Sequence, residues 1–165
     1  MKKHGYRVTF ANAFTPAFFE KRPRWVSATT VMSETAGVPL RELGSKSLFM
    51  DFTNRMLLEK GFTVPLRSPK AAADILVDLA ETHNLCLYEY FLTDLAGHRG
   101  TFDSAVDLLS ELDIFLNEVI DSLDLGRTSL VISSDHGNIE DMSHKRHTSN
   151  PVPTLLWGGI KDVFL

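Results

Sequence analysis

Thr128-Ser129-Leu130-Val131-Ile132-Ser133-Ser134-Asp135-His136-Gly137-Asn138-Ile139-Glu140-Asp141 is the stretch on which the reading of the whole chain turns. Its first six residues form a short, apolar, β-branched run, the composition of a strand buried on both faces. Asp135 and His136 then fall where that strand ends, the usual ligand-binding edge of an open α/β sheet. Neighbouring residues on extended backbone point in opposite directions. The pair is therefore poorly placed to chelate one ion with both side chains and well placed to serve two adjacent ions. A carboxylate and an imidazole with further histidines downstream suit Zn²⁺ or Mn²⁺, whereas Ca²⁺ requires more oxygen ligands. Gly137 leaves room for backbone to approach an ion or an anionic ligand. Read alone, Asp-His-Gly fits a polar strand-to-loop turn with a solvent-exposed histidine equally well, because three residues specify little.

Working outward, 165 residues with 44% hydrophobic content predict a single globular domain, 1–165, with a real core. No apolar run approaches the roughly 20 residues of a spanning helix. Polar His4-Gly5-Tyr6-Arg7 stands where a secretory signal would be apolar. The expectation is a cytoplasmic protein without membrane contact. A net charge of −4 gives no electrostatic footprint for nucleic acid. The basic cluster Lys21-Arg22-Pro23-Arg24 reads as a solvated turn. Cys86, the single cysteine, lies in Leu85-Cys86-Leu87 and reads as a reduced core residue.

Strand-like and helix-like segments alternate without repeats, which predicts an α/β layered fold. Residues 6–11 read as a first strand. The aromatic segment Phe14 to Phe19, with Trp25 and Val26, reads as packing beneath a loop. Residues 51–60 have helical spacing, with Gly61 as the stop. A clearer helix opens with Ser68 as N-cap and Pro69 at its first position, carries Ala73, Leu76, Val77 and Ala80 at periodic spacing, and ends near Asn84. Leu85 to Leu92 reads as a long, aromatic-rich strand.

After that strand comes Thr93-Asp94-Leu95-Ala96-Gly97-His98, a second carboxylate-imidazole pair, with a glycine expected to let the chain fold back. Asp94 as a turn cap and His98 as a surface residue is the plainer alternative. If the two site-bearing strands are parallel neighbours, their carboxyl ends lie side by side and the Asp and His residues converge on one crevice. Residues 102–123, with Val106, Leu109, Leu112, Leu116, Val119 and Leu123 at helical intervals, would be the crossover helix.

Three ordered motifs, Asp94-Leu95-Ala96-Gly97-His98, Ser134-Asp135-His136-Gly137-Asn138 with Glu140, and His147-Thr148-Ser149-Asn150-Pro151-Val152-Pro153, resemble the C-terminal signatures of the alkaline phosphatase superfamily. The branch they resemble is the metalloenzyme domain shared by cofactor-independent phosphoglycerate mutase and phosphopentomutase. The upstream segment Ala11 to Phe19 with Arg24-Trp25-Val26-Ser27 is similar to a smaller bacterial branch of that family. The resemblance implies a three-layer α/β/α domain with a mostly parallel sheet. It further implies that Asp94, His98 and His147 hold one divalent metal, and that Asp135 and His136 hold a second. Two such ions, Mn²⁺ or Zn²⁺, stabilise the attacking and leaving oxygens of an in-line displacement at a phosphate or sulfate ester. Glu140 and Asp141 read as acids behind the ligands, His144 as loop surface, and Asn150 to Pro153 as the entry to a last strand, residues 154–157.

The chain also departs from the family pattern. Complete members begin with a strand ending in a metal-binding Asp, followed by a Ser or Thr nucleophile, and here no Asp precedes Asp51. The expectation is the C-terminal part of a family domain, lacking the N-terminal strand and nucleophile, with an incomplete second metal site. Exposed sheet edges would then favour a homodimer or a partner segment. A small phosphorylated or sulfated substrate is expected for the complete centre. A degenerate, non-catalytic metal-binding or structural module is the alternative.

Overall fold

A computed structural model describes residues 4–159. In chain order the elements are β1 (Val8–Phe10), β2 (Ala13–Phe14), α1 (Pro16–Glu20), α2 (Ala28–Thr35), β3 (Arg41–Glu42), α3 (Arg55–Glu59), α4 (Pro69–Thr82), β4 (Leu85–Leu87), α5 (Leu92–Arg99), α6 (Phe102–Ser122), β5 (Leu130–Ser133) and β6 (Thr154–Trp157). The fold is mixed α/β, and two of its three small sheets are parallel. Contacts group the chain into two compact units, one ending at Tyr90 and one starting at Phe91.

In the first unit β1 and β4 pair in parallel, Val8 opposite Leu85 and Phe10 opposite Leu87, and Ala11 N–H extends the pairing by donating to the Leu87 carbonyl at 2.7 Å. The first strand is thus shorter than its apolar run. β2 pairs with β3, also in parallel. Fully buried Phe10, Leu48, Phe52 and Leu57, with Ala72 and Ala73 from α4, form the core. α4 starts as its sequence dictates: Ser68 Oγ accepts the Ala71 N–H at 3.2 Å, and Pro69 follows where no N–H is needed. The helix expected over 51–60 is confined to Arg55–Glu59, because buried Asp51 turns its carboxylate onto the N–H groups of Thr53 and Met56 and forms a turn ahead of the helix. Phe14, Phe18 and Phe19 form an aromatic cluster, but Trp25 does not join a core: it is 82% exposed, with the Arg24 guanidinium 5.3 Å from its ring centre. Arg22 pairs with Glu34 at 2.7 Å in an exposed setting. Cys86 is a half-buried free thiol whose pKa is pushed by burial up to about 11, against a smaller lowering by Arg41.

The strand expected over residues 85–92 ends at Leu87, and α5 takes over at Leu92. α6 begins with a reciprocal cap: Thr101 Oγ1 accepts the Ser104 N–H, and Ser104 Oγ accepts the Thr101 N–H. Its most covered ridge runs through Ala105, Leu108, Leu112, Phe115 and Val119. Val106 and Leu109, expected inside, are 45% and 42% exposed. The helix is apolar on more than one side, so periodicity alone does not choose which ridge packs. β5 pairs antiparallel with β6, Val131 opposite Leu156. It is not buried on both faces, since Val131 is 50% exposed. Among the described residues, no helix is long and apolar enough to cross a membrane.

Candidate metal centre

The centre lies wholly within the second unit, on α5 and on the loop between β5 and β6. Asp94 and His98 are four residues apart on α5, so helical geometry places them on one face, one turn from each other. The expected fold-back at Gly97 is therefore a helix. Asp94 Oδ1 lies 3.3 Å from His98 Nε2 and 3.2 Å from His147 Nε2, and the two imidazole nitrogens are 3.1 Å apart. His136 Nε2 approaches the same Asp94 oxygen at 3.8 Å, and its ring stacks on that of His147 with centroids 3.5 Å apart. Asp135, its side chain 89% exposed, has Oδ1 3.5 Å from His136 Nε2. The two neighbours therefore converge instead of pointing apart. Residues 135–136 form a bend beyond the end of β5, and alternation of side chains applies only to extended backbone.

One surrounding bond orients the His98 ring. His98 Nδ1 lies 2.9 Å from the Lys145 carbonyl, which can only accept, so Nδ1 carries the proton and Nε2 presents its lone pair to the cluster. Lys145 Nζ in turn donates to the Gly100 carbonyl at 2.7 Å, tying the loop to the end of α5. A buried amide, Asn138, donates from Nδ2 to Asp94 Oδ1 at 3.1 Å and lies 3.3 Å from His98 Nε2. The loop is closed by Glu140. Its carboxylate accepts from the Thr148 hydroxyl, from Asn138 N–H at 2.6 Å and from Asn150 Nδ2 at 3.0 Å. The Thr148 hydroxyl, chiefly, with the backbone and Asn150 donors, holds the Glu140 carboxyl down at about 2. Thr148 N–H donates to the Gly137 carbonyl at 2.9 Å, and a side chain at 137 would collide with the Thr148 hydroxyl and Glu140.

The donor set fits a divalent cation. Two imidazole nitrogens and a carboxylate oxygen are the ligand types of Zn²⁺ and Mn²⁺, and Asp94, His98 and His147 bring one such atom each to a common point. Ligands about 2.0 Å from a tetrahedral ion stand about 3.3 Å apart, and those of an octahedral ion with similar bonds about 3.0 Å apart. The observed separations of 3.1 to 3.3 Å match both shells.

The family model of the metalloenzyme superfamily matches residues 52–164. This chain belongs to that superfamily. Relatives include 2,3-bisphosphoglycerate-independent phosphoglycerate mutases. That of Pseudomonas fluorescens is 32% identical over 103 residues, covering 57% of this chain and 20% of its own length. That of Legionella pneumophila strain Corby is 34% identical over 84 residues, covering 47% and 16%. The chain thus spans about a fifth of the length of these curated relatives. Among solved structures, the PH0037 protein from Pyrococcus horikoshii aligns with a TM-score of 0.60 over 96% of this chain and 34% of its own, at 18% identity, which is a likeness of fold.

In this member of the superfamily all five residues singled out from the sequence, Asp94, His98, Asp135, His136 and His147, fall in one neighbourhood, with Asp94 Oδ1 within 3.8 Å of three imidazoles. Asp135 is the outermost, reaching the group through His136. His144 stands apart, 3.5 Å from Asp141 on the loop surface. Asn138 escaped the sequence reading as a contributor. One signal was available: Asp and His four apart are helical spacing, and a glycine inside such a turn marks a close approach by another group.

Proposed function

We propose that this chain carries the metal-binding half of a two-metal centre that transfers or hydrolyses phosphoryl groups of small phosphate esters, with sulfate esters as the nearest alternative substrate. The observation that carries the reading is the convergence of Asp94 Oδ1, His98 Nε2 and His147 Nε2 at 3.1 to 3.3 Å. Similarity over about half the chain to phosphoglycerate mutases gives the chemistry its class. On this reading Asp94, His98 and His147 hold one divalent ion, Mn²⁺ or Zn²⁺, and Asp135 with His136 contribute to a second. Such ions neutralise charge on the transferring group and orient attacking and leaving oxygens. The chain's own part is to fix the His98 tautomer through Lys145 and to hold the His147 loop closed through Glu140.

The nucleophile is proposed to come from outside this loop. Three hydroxyls near the ligands are committed: Thr148 donates to Glu140, Ser134 to the His136 carbonyl at 2.8 Å, and Ser133 lies 3.2 Å from the Pro153 carbonyl. Asp135 and His136 alone are few ligands for a second ion, so that site is proposed to be weak. The same proposal takes residues 1–165 as part of a three-layer α/β/α domain. Calorimetric titration of the chain with Mn²⁺ or Zn²⁺ tests it: one tight and one weak site are expected, with negligible turnover of an aryl phosphate. Two equally tight sites, or metal-dependent turnover by these residues alone, would overturn the division of labour. A degenerate metal-binding module predicts the same titration but no gain of activity when a complete family N-terminal segment is supplied.

A further inference from the structure

We infer that Asn138 is a positioning residue of the metal centre, acting through Asp94, and that Gly97 is the socket that admits it. The inference rests on the metal-binding reading above. Asn138 is 5% exposed, and its two amide ends are treated unequally. Nδ2 faces the ligand cluster, 3.1 Å from Asp94 Oδ1 and 3.3 Å from His98 Nε2. Oδ1 is buried with no hydrogen-bond partner. Turning the amide over would set oxygen against the Asp94 carboxylate, so Asp94 dictates the orientation and leaves the amide oxygen orphaned. A buried acceptor without a donor is unfavourable and rare. Its retention points to the function of the opposite end.

That end holds the one oxygen on which the site converges. Asp94 Oδ1 lies 3.3, 3.2 and 3.8 Å from His98, His147 and His136. An exposed carboxylate can rotate and offer either oxygen, whereas one pinned by a buried N–H presents a fixed lone pair. A carboxylate oxygen has capacity for both a donor and a cation. The Asn138 bond to Asp94 therefore persists when an ion binds, and only the contact with the single lone pair of His98 is given up. Asn138 itself is held at its backbone by Glu140 and reaches α5 only because residue 97 lacks a side chain: a Cβ there would collide with Asn138 Oδ1.

The test is titration of the whole chain with Zn²⁺ or Mn²⁺, comparing wild type with Asn138→Ala, Asn138→Leu, Gly97→Ala and the Gly97→Ala/Asn138→Ala double variant, with His147→Ala as the reference for loss of a ligand. Each single variant at 97 or 138 is expected to weaken binding roughly 10- to 100-fold, the range for partners that orient a ligand. The double variant should bind no more weakly than Asn138→Ala, since the collision has been removed together with the amide. Asn138→Leu separates positioning from packing. It fills similar volume and removes the orphan oxygen, so the thermal midpoint without metal should hold or rise while affinity falls, and the visible spectrum of bound Co²⁺ should change. Wild-type-like affinity and Co²⁺ spectrum in Asn138→Ala and Asn138→Leu, with His147→Ala impaired, would overturn the role of Asn138 and leave the metal centre standing. Equal binding by wild type and His147→Ala, or none by either, would overturn the metal-binding reading itself.

Discussion

Replacing His98 by alanine isolates the metal centre from the fold. The substitution lies on α5, where alanine favours helix. The His98 ring contacts the exposed Lys145 carbonyl at 2.9 Å, an acceptor that water can satisfy, so loss of that bond costs about 1 kcal/mol of stability at most. The effect on metal is larger. Four-ligand zinc sites in small domains bind with roughly 10–16 kcal/mol, or about 3 kcal/mol per ligand. His98 supplies one of three donor atoms clustered at 3.1 to 3.3 Å, so its loss should weaken the first binding event about a hundredfold. Isothermal titration with Zn²⁺ or Mn²⁺ measures this directly, with His144→Ala as control. His144 contacts Asp141 on the loop surface and is not one of the three clustered donors. An unchanged dissociation constant in His98→Ala, or an equal loss in His144→Ala, would refute the assignment of the donors.

Two further outcomes follow from the same geometry. The Glu140 carboxyl is held at about 2 against an ordinary 4.5, so its contribution to loop closure is fully present above the ordinary value and is lost as pH falls through the folded one. The Asn138 amide resonance should therefore report loop opening between roughly pH 4.5 and 2 in wild type, and already at neutral pH in Glu140→Gln; an amide insensitive to both changes would refute the clamp. Phe115, 1% exposed on the covered ridge of α6, should cost about 3–5 kcal/mol when truncated to alanine, whereas Leu109→Ala, 42% exposed, should cost much less; denaturant unfolding that ranks them in reverse would place the wrong ridge inside.

The residues of the candidate site were legible in the sequence before its architecture was. Asp94, His98, Asp135, His136 and His147 could be named because carboxylate-imidazole pairs are rare enough to stand out, and because their order matches a family. Local capping was legible too: Ser68-Pro69 starts α4 where the residues say. The errors came from rules applied beyond their range. Strand alternation was extended past the end of β5, where the backbone bends and brings Asp135 and His136 together. The aromatic run after Leu87 was read as strand because β propensity largely measures burial. The α6 ridge was misplaced only in its first turns: Val106 and Leu109 are exposed while Ala105 and Leu108 are covered, whereas Leu112, Val119 and Leu123 lie inside as expected. Asn138 itself could not be named from local pattern, because Gly97 signals only that some group approaches α5, and the group comes from 44 residues beyond Asp94.

The corrected geometry changes how the centre is held. Had Asp94 and His98 sat in a loop, all donors would depend on loop order. On α5 their separation is set by backbone hydrogen bonds within one helical turn, independent of any ion. His136 and His147 lie outside any helix and are flanked by one backbone bridge, Thr148 N–H to the Gly137 carbonyl. They are brought to α5 by Lys145, which receives the His98 proton bond and donates to Gly100, and by Glu140, which joins both ends of the loop. One half of the centre is thus preformed by a helix, and the other by a single backbone bridge together with side-chain bonds that acid or single substitutions can remove. Weakening Glu140 should therefore lower metal affinity while leaving α5 helical, whereas unwinding α5 should abolish binding whatever the state of the loop.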